Sequence, residues 1–61
     1  EHILMCLEKL SQEQKEIIVL RDVQGFSYDE ISEILECSIG TVKSRINRSR
    51  LRLREILLEQ N

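Results

Sequence analysis

Lys43, Ser44, Asn47 and Arg48 are the residues of this 61-residue chain whose types and spacing could do recognition chemistry. At about 100° per residue they fall on one arc of a helix, at i, i+1, i+4 and i+5. Arg and Lys donate to guanine O6 and N7, Asn pairs both ways with adenine, and Ser adapts to donor or acceptor. The arc therefore carries the side chains that read base edges in a major groove. Arg45, Arg50, Arg52 and Arg54 leave the same stretch on other bearings, where guanidinium groups reach the phosphates flanking a groove. The competing reading is a basic face that is merely solvated.

Other chemistries find less support. There is one histidine, His2, and no convergent Ser, His and Asp or phosphate-binding Gly loop. Asp29 and Glu30 are adjacent on a helix and point in different directions, so a general acid and base pair is not expected, nor is an enzyme. Cys6 and Cys37 are far apart with no CxxC pair, which does not match a zinc site. Both are expected as small apolar packing residues rather than a disulfide, with a redox role for Cys37 as the lesser reading. No cofactor is expected.

The elements that must position the arc follow from periodicity and caps. Ser38 is a suitable N-cap for a helix running from Ile39 to about Leu58, and Val42, Ile46, Ser49 and Leu53 form its core-facing stripe. Gly40 in the first turn permits close approach of backbone to a phosphate, and Thr41 adds a hydroxyl there. Glu36, Cys37 and Ser38 make a turn of the length found in a helix-turn-helix. Before it, Ser27 and Glu30 form a capping box that starts a helix over about 28-36, carrying Ile31, Ile34 and Leu35. Ser27 and Tyr28 are candidate phosphate contacts through the amides of that first turn, opposed by the charges of Asp29 and Glu30.

Ser11 and Gln14 form another capping box, opening a helix over about 12-24 with Ile17, Ile18, Leu20 and Val23 as its apolar pattern and Gly25 as its terminator. Phe26 is expected to fill the centre of the core. A first helix over about 2-10 places Ile3, Leu4, Leu7 and Leu10 on one face. The chain reads as one all-α domain over 1-61, with four helices, a helix-turn-helix and a long C-terminal recognition helix. It begins inside a pattern, so a piece of a longer protein is expected. Ile56, Leu57 and Leu58 cannot all be buried on one stripe, so part of that tail is expected to meet a partner.

Net charge is -2, but the halves differ. Residues 1-38 carry three bases against nine acids, a net of -6, and residues 39-61 carry six against two, a net of +4. A basic face on an acidic body attracts a polyanion locally while disfavouring indiscriminate binding. No run of apolar residues is long enough for a membrane span, and no secretory signal is visible.

The stretch L-S-Q-E-Q-K-E-I-I-V-L-R-D-V-Q-G-F-S-Y-D-E-I-S-E-I-L, followed by S-I-G-T-V-K-S-R-I-N-R-S-R, closely resembles region 4 of bacterial sigma-70 family factors, especially the extracytoplasmic function group. The resemblance covers about residues 7-57. It implies a four-helix domain that binds the promoter minus-35 element within RNA polymerase holoenzyme. It also implies that Lys43, Ser44, Asn47 and Arg48 face the bases while Gly40, Thr41, Arg45 and Arg50 lie near the backbone. The implied partners are promoter DNA, the flap of the polymerase β subunit and an anti-sigma factor. The implied location is the bacterial cytoplasm, or the membrane where an anti-sigma factor holds the protein.

Two positions depart from the family's pattern: Ser32 stands where Ala is common, and Glu36 where Gly is common. Glu36 must then take a positive φ, at a cost of about 1 kcal/mol. The alternatives are a LuxR-type response-regulator output domain, whose S-x-x-T-V-K core is similar, and a helical module that binds protein only.

Overall fold

Side-chain caps on the backbone decide where three of the helices begin. The computed structural model describes residues 2–59, and side chains from Met5 onward. The expected contributions of Ile3 and Leu4 to the core therefore lie outside the described side chains. Helix α1 spans His2–Glu8, and its end tightens into i to i+3 bonds, Lys9 N-H to Cys6 O and Leu10 N-H to Leu7 O, both 3.1 Å.

At Ser11 the expected capping box is present: Gln14 N-H donates to Ser11 Oγ at 3.2 Å and Ser11 N-H to Gln14 Oε1 at 3.1 Å. Helix α2, Gln12–Ile18, follows. The α-helix predicted to reach about 24 stops there and continues as a π-helical turn, Val19–Val23. Its i to i+5 bonding, Gln24 N-H to Val19 O at 2.9 Å, takes the residues after Val19 out of α-helical phase. Val23, expected in the apolar pattern, is 68% exposed as a result. Gly25 then closes the segment at φ 79, with Phe26 N-H bonded to Leu20 O at 3.0 Å.

The Ser27 box, with Glu30 N-H donating to Ser27 Oγ at 3.1 Å and Ser27 N-H to Glu30 Oε1 at 2.8 Å, opens α3, Tyr28–Leu35. Glu36 ends it in the left-handed region, φ 55 and ψ 49, as the turn required. Ser32 O accepts the N-H groups of both Glu36 and Cys37, the latter at 3.0 Å. This left-handed cap satisfies end-of-helix carbonyl capacity and turns the chain sharply into the next helix.

Helix α4, Ile39–Glu59, has 21 residues. At about 1.5 Å per residue it is roughly 31 Å long, close to the 35 Å long axis of the whole domain. It is the spine on which the others lie, touching α1, α2 and α3. Its buried residues are Val42, Ile46, Ser49 and Ile56, with Leu53 partly buried against the same core. Cys6, Leu7 and Leu10 of the first segment, Ile17 and Ile18 of α2, and Ile31 of α3 complete the core. Phe26, expected at the centre, is only partly buried at the margin. The centre is filled by Ile17, Ile31 and Ile46. Cys6 is buried, Cys37 half-buried, and both are free thiols. The described residues form an all-α domain with a helix-turn-helix made of α3, the turn at Glu36 and α4.

Candidate nucleic-acid interface

Burying Val42, Ile46 and Ser49 fixes the rotation of α4, and that rotation leaves Lys43, Ser44, Asn47 and Arg48 all exposed on its other side. None of the four makes a side-chain hydrogen bond or ion pair to another described residue. Among the described residues their donors and acceptors are unengaged, which is what a base-reading surface needs.

At the start of α4 the Ser38 hydroxyl accepts Thr41 N-H at 3.1 Å and donates to Thr41 Oγ1 at 3.0 Å, while Val42 N-H takes Ser38 O at 3.0 Å. The first-turn amides of Ile39 and Gly40 and the Thr41 hydroxyl proton remain for an outside acceptor. A Cβ on Gly40 would meet only Ser38 Oγ, at 3.9 Å. Among the described residues no crowding demands glycine there.

The start of α3 is less open than its sequence suggests. The Ser27 amide, expected to be available to a phosphate, is tied to Glu30, and the Glu30 amide is tied to Ser27. What remains are the amides of Tyr28 and Asp29 and the Ser27 hydroxyl proton. Tyr28 is half-buried, and the Arg21 guanidinium sits over its ring at 4.9 Å. Arg21 Nη1 also donates to Phe26 O at 2.9 Å, so one cation ties the π turn to the loop and to α3.

The arginines sort into tied and untied. Arg50 makes a two-pronged bond to Asp22 of the π turn, Nε to Oδ2 at 3.1 Å and Nη2 to Oδ1. Hydrogen bonding to Asp22 and its charge raise the Arg50 pKa, so this cation is permanent. Arg52, expected to reach a phosphate, is turned to Glu55 at 3.3 Å and Glu59 at 3.8 Å. Helix-local acids at i+3 and i+7 compete for it. Arg45 is half-buried and faces a cleft with Arg48, and neither has a carboxylate within ion-pair distance among the described residues.

Sequence reasoning missed Asp22 and Arg21 altogether. Asp22 lies 28 positions from Arg50, and no local pattern pairs them. Among the described residues no group of His, Cys, Asp and Glu could hold a metal ion, and no helix is long and apolar enough to cross a membrane.

Residues 1–53 match the family model described as Sigma-70, region 4. The chain belongs to that family. This sets aside the response-regulator alternative and makes the chain a region 4 unit of the sigma-70 family, built on the helix-turn-helix of α3 and α4. It is similar to the ECF RNA polymerase sigma factor EcfG of Rhodopseudomonas palustris (strain TIE-1), 42% identical over 57 residues, 93% of this chain and 32% of that protein. The ECF RNA polymerase sigma-E factor of Haemophilus influenzae is 46% identical over 44 residues, 72% of this chain and 23% of the relative. That of Escherichia coli (strain K12) is 42% identical over 48 residues, 79% and 25%. The chain thus spans about a quarter to a third of the length of the curated relatives it matches. No solved structure matches it significantly.

Proposed function

We propose that this region 4 domain reads the promoter minus-35 element as duplex DNA and so helps direct RNA polymerase to its start sites. The observation that carries the reading is the face of α4 opposite its buried stripe. There Lys43, Ser44, Asn47 and Arg48 stand together, exposed and unengaged. An α-helix fits the major groove, and these four side chain types cover both guanine and adenine contacts. The Ile39 and Gly40 amides, Thr41, Arg45 and Arg50 supply phosphate contacts on either side, with a smaller share from Ser27 and Tyr28.

Exposed apolar groups support a protein partner. Leu58 is 63% and Met5 59% exposed, on two helices that touch each other, whereas Ile56 is fully buried and Leu57 is packed on the core. The tail's surplus apolar surface is therefore Leu58, and we assign it to the β-subunit flap, where an anti-sigma factor would compete. The reading places the protein in the bacterial cytoplasm.

The test is selection of the domain on a randomised duplex pool at low salt, followed by sequencing of the bound fraction. Enrichment of one short, non-palindromic element is expected from a monomeric reader. A bound pool with no enriched element, or one enriched only in inverted repeats, would overturn the reading. Affinity of the isolated domain should be weak at physiological salt, because few phosphates are neutralised.

A further inference from the structure

The residue of α4 that points most directly away from the core is an apolar one. The buried stripe is Val42, Ile46, Ser49 and Ile56, with Leu53 packed beside it. At about 100° per residue, its centre lies about 180° from Leu51, which is 56% exposed. Leu51 follows Ser44 by seven residues, Asn47 by four and Arg48 by three. Its bearing therefore falls between those of Asn47 and Arg48, with Arg45 and Arg50 out on the two flanks.

A single exposed leucine is ordinary on a protein surface. What sets Leu51 apart is the polar company on its arc, Lys43, Ser44, Asn47 and Arg48, and its place in the register. Spacing of i, i+3, i+4 and i+7, here Ser44, Asn47, Arg48 and Leu51, is how a helix lying in a groove presents side chains to successive base edges. From Lys43 to Leu51 the helix rises about 12 Å, comparable with the width of the major groove. Leu58, on nearly the same bearing, stands about 10.5 Å further along the axis. It lies beyond that width and stays with the protein partner, whereas Leu51 falls at the far edge of the groove.

The chemistry of that edge selects one base. Thymine alone among the four shows an apolar group in the major groove, its C5-methyl. Leucine has nothing to pair with the amino donors of cytosine and adenine or with the N7 and O6 acceptors of guanine. Covering one of those from water without a partner is costly, whereas covering a methyl removes apolar surface from water on both sides. Three residues of helix from Arg48 to Leu51 rise about 4.5 Å, against about 3.4 Å per base along a strand. We infer that Leu51 is a further specificity-determining residue, selecting a thymine one or two base pairs beyond the pair read by Arg48. The inference rests on α4 entering the major groove.

The experiment repeats the duplex selection with the wild-type domain, Leu51→Ala, Leu51→Met and Arg48→Ala, the last locating its own pair by the position it relaxes. Each thymine of the wild-type element is then replaced singly by deoxyuridine, which lacks only the methyl. The wild type should enrich thymine at the Leu51 pair and lose roughly fourfold in affinity on deoxyuridine there, the size of one buried methyl group. Leu51→Ala should show neither effect at that pair and keep the rest of the element. It should melt no lower than the wild type, since the position is exposed and alanine is the better helix former. Leu51→Met, still apolar, should keep the thymine.

A Leu51→Ala domain that enriches the same element with the same deoxyuridine losses, or that weakens on all sequences alike, overturns the Leu51 assignment alone. Weaker binding to core RNA polymerase with an unchanged element would overturn it too, and would give Leu51 to the protein partner. So would a wild-type element with no thymine within two base pairs of the one that Arg48→Ala relaxes. A wild-type domain that enriches no element overturns the assignment together with the groove reading.

Discussion

On one flank of α4, Arg50 is gripped by Asp22 through Nε and Nη2; on the other, Arg45 and Arg48 have no carboxylate within ion-pair distance among the described residues. The difference separates two ways of preparing a cation for DNA. A guanidinium has five N-H donors, so Asp22 uses one edge of Arg50 and leaves the other directed outward. The roughly 2 kcal/mol of rotamer entropy such a side chain carries is then partly lost on folding rather than on binding. The acid also cancels charge that would attract a phosphate. The open flank keeps its full charge and leaves its ordering cost to the encounter. One flank is suited to fixing orientation, the other to strengthening attraction.

The largest test removes what both flanks share. Ile46 is fully buried at the centre of the stripe, and Ile46→Ala should cost about 2–5 kcal/mol through lost contacts and a residual cavity. A domain of this size draws only about 3–5 kcal/mol from its core. The variant should therefore be largely unfolded at 25 °C by far-ultraviolet circular dichroism, with both flanks lost together. A cooperative melt close to that of the wild type would show that α4 does not depend on this stripe.

Between the flanks, Arg48→Ala should cost about 1–3 kcal/mol of duplex binding and relax preference at one base pair. The check is affinity for a set of duplexes singly substituted in the selected element. Equal losses on specific and scrambled duplexes would move Arg48 from the bases to the cleft, sharpening the contrast in favour of the open flank.

What could be read ahead of the structure was whatever is local. The capping boxes at Ser11 and Ser27 are fixed by residues three apart, and the stripe of Val42, Ile46, Ser49 and Leu53 follows from helical period. The positive φ of Glu36 is what the resemblance implies, since glycine is common at that position of the family. The exposed set Lys43, Ser44, Asn47 and Arg48 is the complement of that stripe, so it was equally legible. Features that depend on how helices meet were not. The π turn shifts Asp22 and Val23 out of α-helical phase, and no periodicity within Val19–Val23 announces it. The engagement of Arg50 depends on that shift, and the cleft depends on the start of α2 lying against α4. Phe26 misled because side-chain size suggests the centre, whereas its backbone is held at the margin by Arg21 and Leu20.

Glu36 offers a smaller and purely structural test, since it lies between the helices but on neither flank. Glycine adopts its left-handed geometry without the Cβ penalty, so Glu36→Gly should stabilise the domain by about 1 kcal/mol. For a chain of this length that is roughly 4–8 °C in melting temperature, with the ranking of duplexes unchanged. A melting temperature that falls, or a changed ranking, would mean that Glu36 has a role its exposed side chain does not reveal.

The smallest expected effect bears most directly on the comparison. Asp22→Asn keeps the shape of the partner and removes its charge. The ion pair is exposed, so stability should change by only about 0.2–1 kcal/mol. Duplex binding should respond in two opposed ways. Removing an acid beside the phosphate path should raise affinity for every sequence and steepen its salt dependence, because Arg50 then meets phosphate with its charge uncompensated. Loosening Arg50 should at the same time lower the ratio of specific to scrambled binding, because the helix is held less firmly in register. Arg50→Ala should weaken binding to every sequence and lower the same ratio at least as far, and adding Asp22→Asn to it should no longer change the ratio, since the acid acts through that arginine. If the double variant's ratio falls as far below that of Arg50→Ala as the single Asp22→Asn change falls below wild type, the acid acts independently of Arg50. The tied flank would then be a charge-balanced surface rather than an orienting one.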